Sequence, residues 1–348
     1  MVFGLGKSWD ARGKNCYVTG GSQGLGLSVA TQLASQGASV TIVARNVGKL
    51  KAAVEQLEIH HQSSEQTFRF HSFPLNTSAG SQSALDAECQ ALSQQSDGAV
   101  SAPDAFFLCA GSSRPGYFVE ATEDILVEGM EQAYWVQAWS AHAAMKKLVR
   151  EQHPGKIVFI GSTLSLMSFI GYASYSPGKH ALKGLAETLR SEGLLYGIDV
   201  HIFFAPAMNS PGLLEETKTK PPLTTAFEAG DEILSCDDAA RLMLNGVRNG
   251  DHHVGATLIT KIFYNASRGA APLVNPCLGP ILDCIGWIAL PFWRRDCDAK
   301  ILKARDEHRE HLTKSEFSPE KKKVGLIFIL PLLMLLADVA IFCMIILY

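Results

Sequence analysis

The segment YASYSPGKHALKGL, Tyr172 to Leu185, sets Tyr175 four residues before Lys179. On a helix, residues four apart share a face, which brings a phenol beside an ammonium group. A phenol with an ordinary pKa near about 10 is a weak acid-base catalyst at neutral pH, and a neighbouring cation stabilises its anion. Ser162 precedes Tyr175 by 13 residues and ends the apolar run GKIVFIGS. A hydroxyl there can hold a substrate oxygen by a hydrogen bond while the tyrosine passes it a proton. The three side chains describe acid-base chemistry at an oxygen, with Ser162 positioning, Tyr175 transferring the proton and Lys179 tuning the phenol.

Such side chains need a scaffold that delivers them to one place. Seven short apolar stretches, NCYVTG, SVTIVAR, FRFHSF, DAFFLCAG, GKIVFIGS, IDVHIFFAP and HHVGATLI, punctuate residues 15–260, several of them separated by segments of helical spacing. Strands alternating with helices argue for βαβ units, hence an α/β fold with a doubly wound parallel sheet covered on both faces. In such sheets ligands bind beyond the C-terminal ends of the strands, where Ser162 falls. Pro206–Thr225, rich in Pro, Thr and Gly, predicts a loop able to cover a substrate, and 93–102 a looser stretch.

A second constellation follows the first strand. VTGGSQGLG, Val18 to Gly26, leads into a helical pattern. Gly20, Gly24 and Gly26 permit a tight turn, close approach of a diphosphate and packing of helix on strand. Ser22 and Gln23 lie between them, at a helix N-terminus that attracts anions. An acidic residue at the end of the second strand would hold the ribose diol of NAD, but Arg45 and Asn46 stand there, with Lys49 a turn later. Cations at that place suit the 2′-phosphate of NADP, so the expected cofactor is NADPH.

Of the 348 residues, 47% are hydrophobic and 19% charged, and the formal net charge is -3. That balance, with no basic stripe interleaved with aromatics in the first three hundred residues, argues against a nucleic-acid partner. Eight cysteines form no CxxC pair and the histidines show no metal-ligand spacing. A reducing compartment, no metal site and surface histidines are the expectation. The N-terminal residues lack the apolar core of a signal peptide.

The far end differs. Val324 to Tyr348 carries a single charged group, Asp338. A bilayer core takes about 20 apolar residues, so this stretch is expected to be a transmembrane anchor. A second apolar stretch, Ala270 to Trp293, contains four prolines and Asp283. It fits an interfacial segment with Trp287 and Trp293 at the headgroups, or a hydrophobic flap over a pocket, and both stay open. Arg294, Arg295 and the lysines 321–323 favour the cytosolic side for the linker and the large domain. The expected organisation is a catalytic domain over 1–262, an amphipathic segment with a charged linker over 263–323, and an anchor over 324–348.

Together, TGGSQGLG, the CAG of Cys109 to Gly111, Ser162 and the Tyr175/Lys179 pair resemble the short-chain dehydrogenase/reductase family across residues 14–260. The resemblance implies that Ser162 orients a carbonyl, Tyr175 is the general acid or base, and Lys179 also holds the nicotinamide ribose. It implies further cofactor contacts at Gly111 and at Asn76 or Leu75, two registers open for the adenine-contacting position. It also implies a dimer paired through helices beside the fourth and fifth strands. ARN with its following lysine, GLAETLRSE, SPGLLEET and IGWIALPFWRR are similar to one branch of that family, the fungal-type 3-ketodihydrosphingosine reductases. That branch implies NADPH-dependent reduction of the C3 ketone of a long-chain sphingoid base at the cytosolic face of the endoplasmic reticulum membrane. An alkyl substrate partitions into the lipid bilayer, so two apolar C-terminal segments suit such an enzyme independently.

The chain also departs from the family pattern. Ala133 stands where an asparagine feeds a proton relay, and Leu108 and Cys109 stand where another asparagine precedes AG. Gln132 or Gln137 could replace the relay residue, the ordinary reading of each being a plain helix residue. Another lipophilic ketone as substrate, or a cofactor-binding membrane scaffold without turnover, stays open on the sequence.

Overall fold

The computed structural model describes residues 9–98, 101–272 and 275–314. The expected anchor at 324–348 lies outside the described residues. Among those described, no helix is long and apolar enough to cross a membrane.

β-Branched and aromatic residues build the strands β1 Asn15–Thr19, β2 Ser39–Ala44, β3 Phe68–Ser72, β4 Ala105–Leu108, β5 Gly155–Ser162, β6 Ile198–Ala205, β7 Met208–Asn209, β8 Leu234–Ser235 and β9 His253–Gly255. Seven of them form one sheet in the order β3-β2-β1-β4-β5-β6-β9, every neighbouring pair parallel. The seven apolar stretches of the sequence supply these seven strands. β7 and β8 make a separate short ribbon.

The helices begin with α1 Gly24–Ser35, α2 Val47–Glu58, α3 Ser78–Gln95, α4 Glu123–Met130, α5 Val136–Arg150 and α6 Ser176–Gly193. They continue with α7 Pro211–Thr217, α8 Pro222–Glu228, α9 Cys236–Asn249, α10 Leu258–Ser267, α11 Leu278–Lys303 and α12 Arg305–Lys314. Leu33, Leu50 and Met243 of α1, α2 and α9 pack on one face of the sheet. Leu85, Leu148 and Leu182 of α3, α5 and α6 pack on the other. This two-sided cover explains why strands such as AFFL of β4 are apolar without alternation, since all four side chains are buried.

The chain divides after Cys297 into two compact units, Met1–Cys297 and Asp298–Tyr348. α10 and most of α11 therefore belong with the sheet, through contacts such as Phe263 on Trp293 at 5.2 Å between ring centres.

Three local expectations are revised. Pro206–Thr225 contains α7 and the start of α8, because Ser210 caps α7 by accepting from the Leu213 N–H at 3.2 Å and Pro211 suits its first turn. The proline-rich stretch becomes helical from Leu278, with Pro280 in the first turn. Pro291 sits inside α11 at an exposed position. His201 and His253 are 1% and 4% exposed rather than surface residues. They lie on β6 and β9, in a sheet covered on both faces, where a side chain on either side of the strand is buried.

Candidate active site

The site opens where neighbouring strands end at different heights. β4 stops at Leu108, opposite Phe159, whereas β5 continues to Ser162, opposite Ala205. Ser162 caps a short 3-10 turn: its Oγ accepts from the Leu164 N–H at 3.1 Å, and its own N–H donates to Ser165 Oγ at 3.0 Å. The turn fixes the serine, whose hydroxyl is hydrogen-bonded to the Tyr175 phenol. Tyr175 immediately precedes α6, and one turn on lies Lys179, 3% exposed, its Nζ 5.5 Å from the Tyr175 ring centre. The lysine donates to the Ile160 carbonyl at 2.8 Å. The three residues singled out in the sequence therefore meet.

Burial lowers the Lys179 pKa to about 7, with the nearby Cys109 thiol working the other way. Burial pushes the Tyr175 phenol well above its ordinary range, Glu216 adds to the rise, and the Ser162 hydrogen bond opposes it. The spacing argument expected Lys179 to lower the tyrosine pKa. Burial instead pulls the lysine towards its neutral form, which weakens its field on the phenol. Tyr175 is consequently held in its protonated form, the form that a proton donor needs.

The glycine loop lies at the other end of the same cavity. Gly20 adopts a φ of +67°, and a Cβ at Gly26 would collide with the Gly20 carbonyl oxygen, so the turn and the helix can approach only as glycines. α1 starts with no side-chain cap and no acidic residue in its first turn. Its first N–H groups are thus available to an anion. Lys49 Nζ donates to Gln23 Oε1 at 2.6 Å, and the Asn46 side chain caps α2 through the Lys49 N–H at 2.9 Å. Gly20, Ser22, Gln23, Gly24, Gly26, Arg45, Lys49, Leu75, Asn76, Gly111, Ser162, Tyr175 and Lys179 all line one cavity of about 1150 Å³. Leu75 is buried and Asn76 exposed, so of the two adenine registers Asn76 alone offers a free amide side chain. The donors, the glycine cradle and the paired cations fit a dinucleotide carrying a 2′-phosphate.

Sequence reasoning expected Pro206–Thr225 to cover a substrate but missed how the rest of the cavity is built. α7 and α8 close one side, clasped by Tyr172, whose hydroxyl contacts Glu216 at 2.7 Å and Glu228 at 2.5 Å. Lys220, its side chain 6% exposed, bridges the same two carboxylates at 2.9 and 2.5 Å. The opposite side is apolar, with Leu258, Ile259 and Phe263 from α10 and Leu290 and Trp293 from α11. Arg294 of α11 donates to the Ser168 carbonyl at 2.9 Å, and Ser168 Oγ meets Ser176 Oγ of α6 at 2.6 Å. α11 is thereby tied to the start of the helix that bears Lys179. The only signal for this wall in the sequence was the flap reading of 270–293.

The family model for short chain dehydrogenase matches residues 14–221. The chain belongs to the short-chain dehydrogenase family. It is 38% identical over 305 residues, 88% of this chain and 89% of the relative, to the 3-ketodihydrosphingosine reductase TSC10 of Cryptococcus neoformans. A 3-ketodihydrosphingosine reductase of Dictyostelium discoideum is 30% identical over 87% of this chain and 92% of its own length. A 3-dehydrosphinganine reductase of Danio rerio is 29% identical over 70% of this chain and 71% of its own. Among solved structures, a short-chain dehydrogenase from Sphingobium yanoikuyae in complex with NADPH superposes with a TM-score of 0.61 at 20% identity, covering 74% of this chain and 93% of that one. That likeness shows the fold.

Proposed function

We propose that this short-chain dehydrogenase reduces the C3 ketone of 3-ketodihydrosphingosine to the alcohol of dihydrosphingosine, with NADPH as reductant. The observation that carries the reading is one shared cavity: the serine-tyrosine-lysine trio faces the glycine loop and its cations on one side and an apolar wall on the other. The names of the relatives give the substrate class, and an apolar wall is what a long alkyl chain requires.

The glycine loop and the α1 N-terminus would hold the diphosphate, Arg45 and Lys49 the 2′-phosphate, and Lys179 the nicotinamide ribose. When bound, NADPH supplies the hydride that the ketone carbon accepts. Ser162 donates a hydrogen bond to the ketone oxygen and fixes its direction. Tyr175 transfers its O–H proton to that oxygen as negative charge grows there, completing the alcohol. The Lys179 ammonium offsets the charge left on the phenol.

We place the reaction at the cytosolic face of the endoplasmic reticulum membrane. In support, Ile281, Ile285, Ile288 and Phe292 recur at intervals of four, three and four along α11 and are 57, 43, 54 and 66% exposed. That is a continuous apolar stripe about a third of a turn round the helix from the packed Leu282 and Gly286, and Trp287, elsewhere on the same outer surface, is 81% exposed. The apolar sequence 324–348 would add a span. A dimer through α4 and α5 is supported by the exposure of Val127 on α4 and of Trp135 on the turn that joins the two helices.

The test is NADPH oxidation by the detergent-purified chain with 3-ketodihydrosphingosine, retinal and a steroid ketone, with Tyr175→Phe as the blank. Turnover of the sphingoid ketone alone is the expected outcome. Binding of NADPH by folded protein without turnover of any ketone would overturn it.

A further inference from the structure

Where β4 stops at Leu108, the backbone of β5 loses a ladder partner on that side. A buried amide left without one is costly, so something must replace the missing strand. Gln137, on α5 and 1% exposed, does so with its side chain. Its Oε1 accepts from the Ile160 N–H at 2.9 Å, and its Nε2 donates to the Ile160 carbonyl at 3.0 Å. A side-chain amide thus stands in for a neighbouring peptide group.

The same Ile160 carbonyl accepts from Lys179 Nζ at 2.8 Å. Both lone pairs of one oxygen are therefore used, one by the glutamine and one by the lysine. Ala133, one turn earlier on a π-helical turn over Glu131–Trp135, is fully buried, and an added Cβ at Gly178 would come 2.7 Å from its methyl group. The alanine offers no polar group of its own there. Gln132 lies apart, on the rim, where Ser112 Oγ reaches it at 3.4 Å.

We infer that Gln137 is a positioning residue for the reduction: by clamping Ile160 it fixes the carbonyl on which the Lys179 ammonium rests. The inference depends on the reductase reading for its catalytic consequence, though not on the identity of the ketone. The titratable groups facing Lys179 are Tyr175 on its own helix and Cys109 at the end of β4. Burial holds Tyr175 far above neutrality and raises Cys109 to about 12. An alkaline loss of function between about pH 6 and pH 9 therefore reports Lys179.

The experiment compares wild type, Gln137→Leu and Gln137→Glu in full-length, detergent-purified protein, first checked for melting temperature. NADPH affinity by fluorescence and the turnover rate are then followed from pH 6 to 9. The leucine leaves the carbonyl unheld, so the alkaline limb moves to lower pH and kcat falls about tenfold with little change in KM. The glutamate brings an anion beside the ammonium, so the limb moves about one unit to higher pH. Opposite shifts are the signature; a residue that only supports the fold would move both limbs together or neither, and either result overturns the proposal. If the leucine variant does not fold, Gln137→Asn, one methylene too short to hold both groups of Ile160, takes its place and should likewise move the limb to lower pH. If wild type binds NADPH but turns over no sphingoid ketone, the substrate reading fails and the pH dependence of NADPH binding still judges Gln137.

Discussion

The two halves of the cavity are built by different means. The cofactor half comes from strand ends: the glycine loop follows β1, Arg45 follows β2, and Ser162 ends β5. Its side chains lie within a few residues of a buried strand, and their positions follow from the sheet. The substrate half comes from α7, α8, α10 and α11, whose lining residues enter the chain 49 to 131 positions after Ser162, from Pro211 to Trp293. The chemistry is thus fixed by short-range geometry that serves any ketone, while selectivity rests on long-range packing of later segments.

The largest effect lies at the border of the halves. Tyr175→Phe removes the transferable proton and keeps the ring, so turnover should fall by about 10²–10⁴ while NADPH affinity stays within about twofold. Near-normal turnover would put the proton donor elsewhere and leave the buried phenol as packing.

The cofactor half can be broken by itself at Arg45. Arg45→Glu should weaken NADPH binding about 10- to 100-fold, the equivalent of losing one or two charge-assisted hydrogen bonds, with NADH changed by no more than about threefold. Fluorescence titration of the two cofactors reads the ratio. Equal losses for both would detach Arg45 from the 2′-phosphate.

The same contrast explains what could be read from the sequence. Strand period, glycine turn and the Tyr175/Lys179 interval are local rules, and the seven strands and the meeting of the trio follow from them. Pro211 and Pro280 look like breakers until their place in a first helical turn is known, which depends on Ser210 and Asn275 capping just ahead. The Tyr172 clasp joins residues 44 to 56 positions apart, and no periodicity connects them. The direction of the Tyr175 shift required knowing how deeply both it and Lys179 are buried. Gln137 was visible as a glutamine, but its role exists only because β4 ends one residue short of Ile160.

The sheet half carries buried polar groups that sharpen the comparison through acid stability. Burial lowers the pKa of His201 to about 4 and of His253 to about 3, from 6.5. In both, the folded state refuses a proton that the unfolded chain accepts. Their penalty is absent above pH 6.5 and grows as pH falls towards those values, by up to about 1.4 kcal/mol per pH unit for each histidine. Denaturant midpoints at pH 7.5 and 5.0 should show this fall, and His201→Asn should reduce it by about half. The same slope in the variant would mean that the acid loss arises elsewhere.

The smallest effect tests the substrate half where it faces outward. In α11, Leu282 is 4% exposed, whereas Ile285 and Ile288, on the adjoining face, are 43% and 54% exposed. Ile285→Ser with Ile288→Ser should leave the melting temperature within about 2 °C, because little packing is lost, whereas Leu282→Ser should lower it clearly. If the stripe lies on lipid, the double change should weaken binding to phosphatidylcholine vesicles several-fold in a chain ending before Val324, where the apolar tail cannot mask it. If it instead packs on protein, the double variant would keep its vesicle binding and change its oligomeric state, and size-exclusion chromatography would show that. The two outcomes separate because the first alters partition between phases and the second alters mass, and only the first would let the alkyl-binding wall open directly on the layer that stores its substrate.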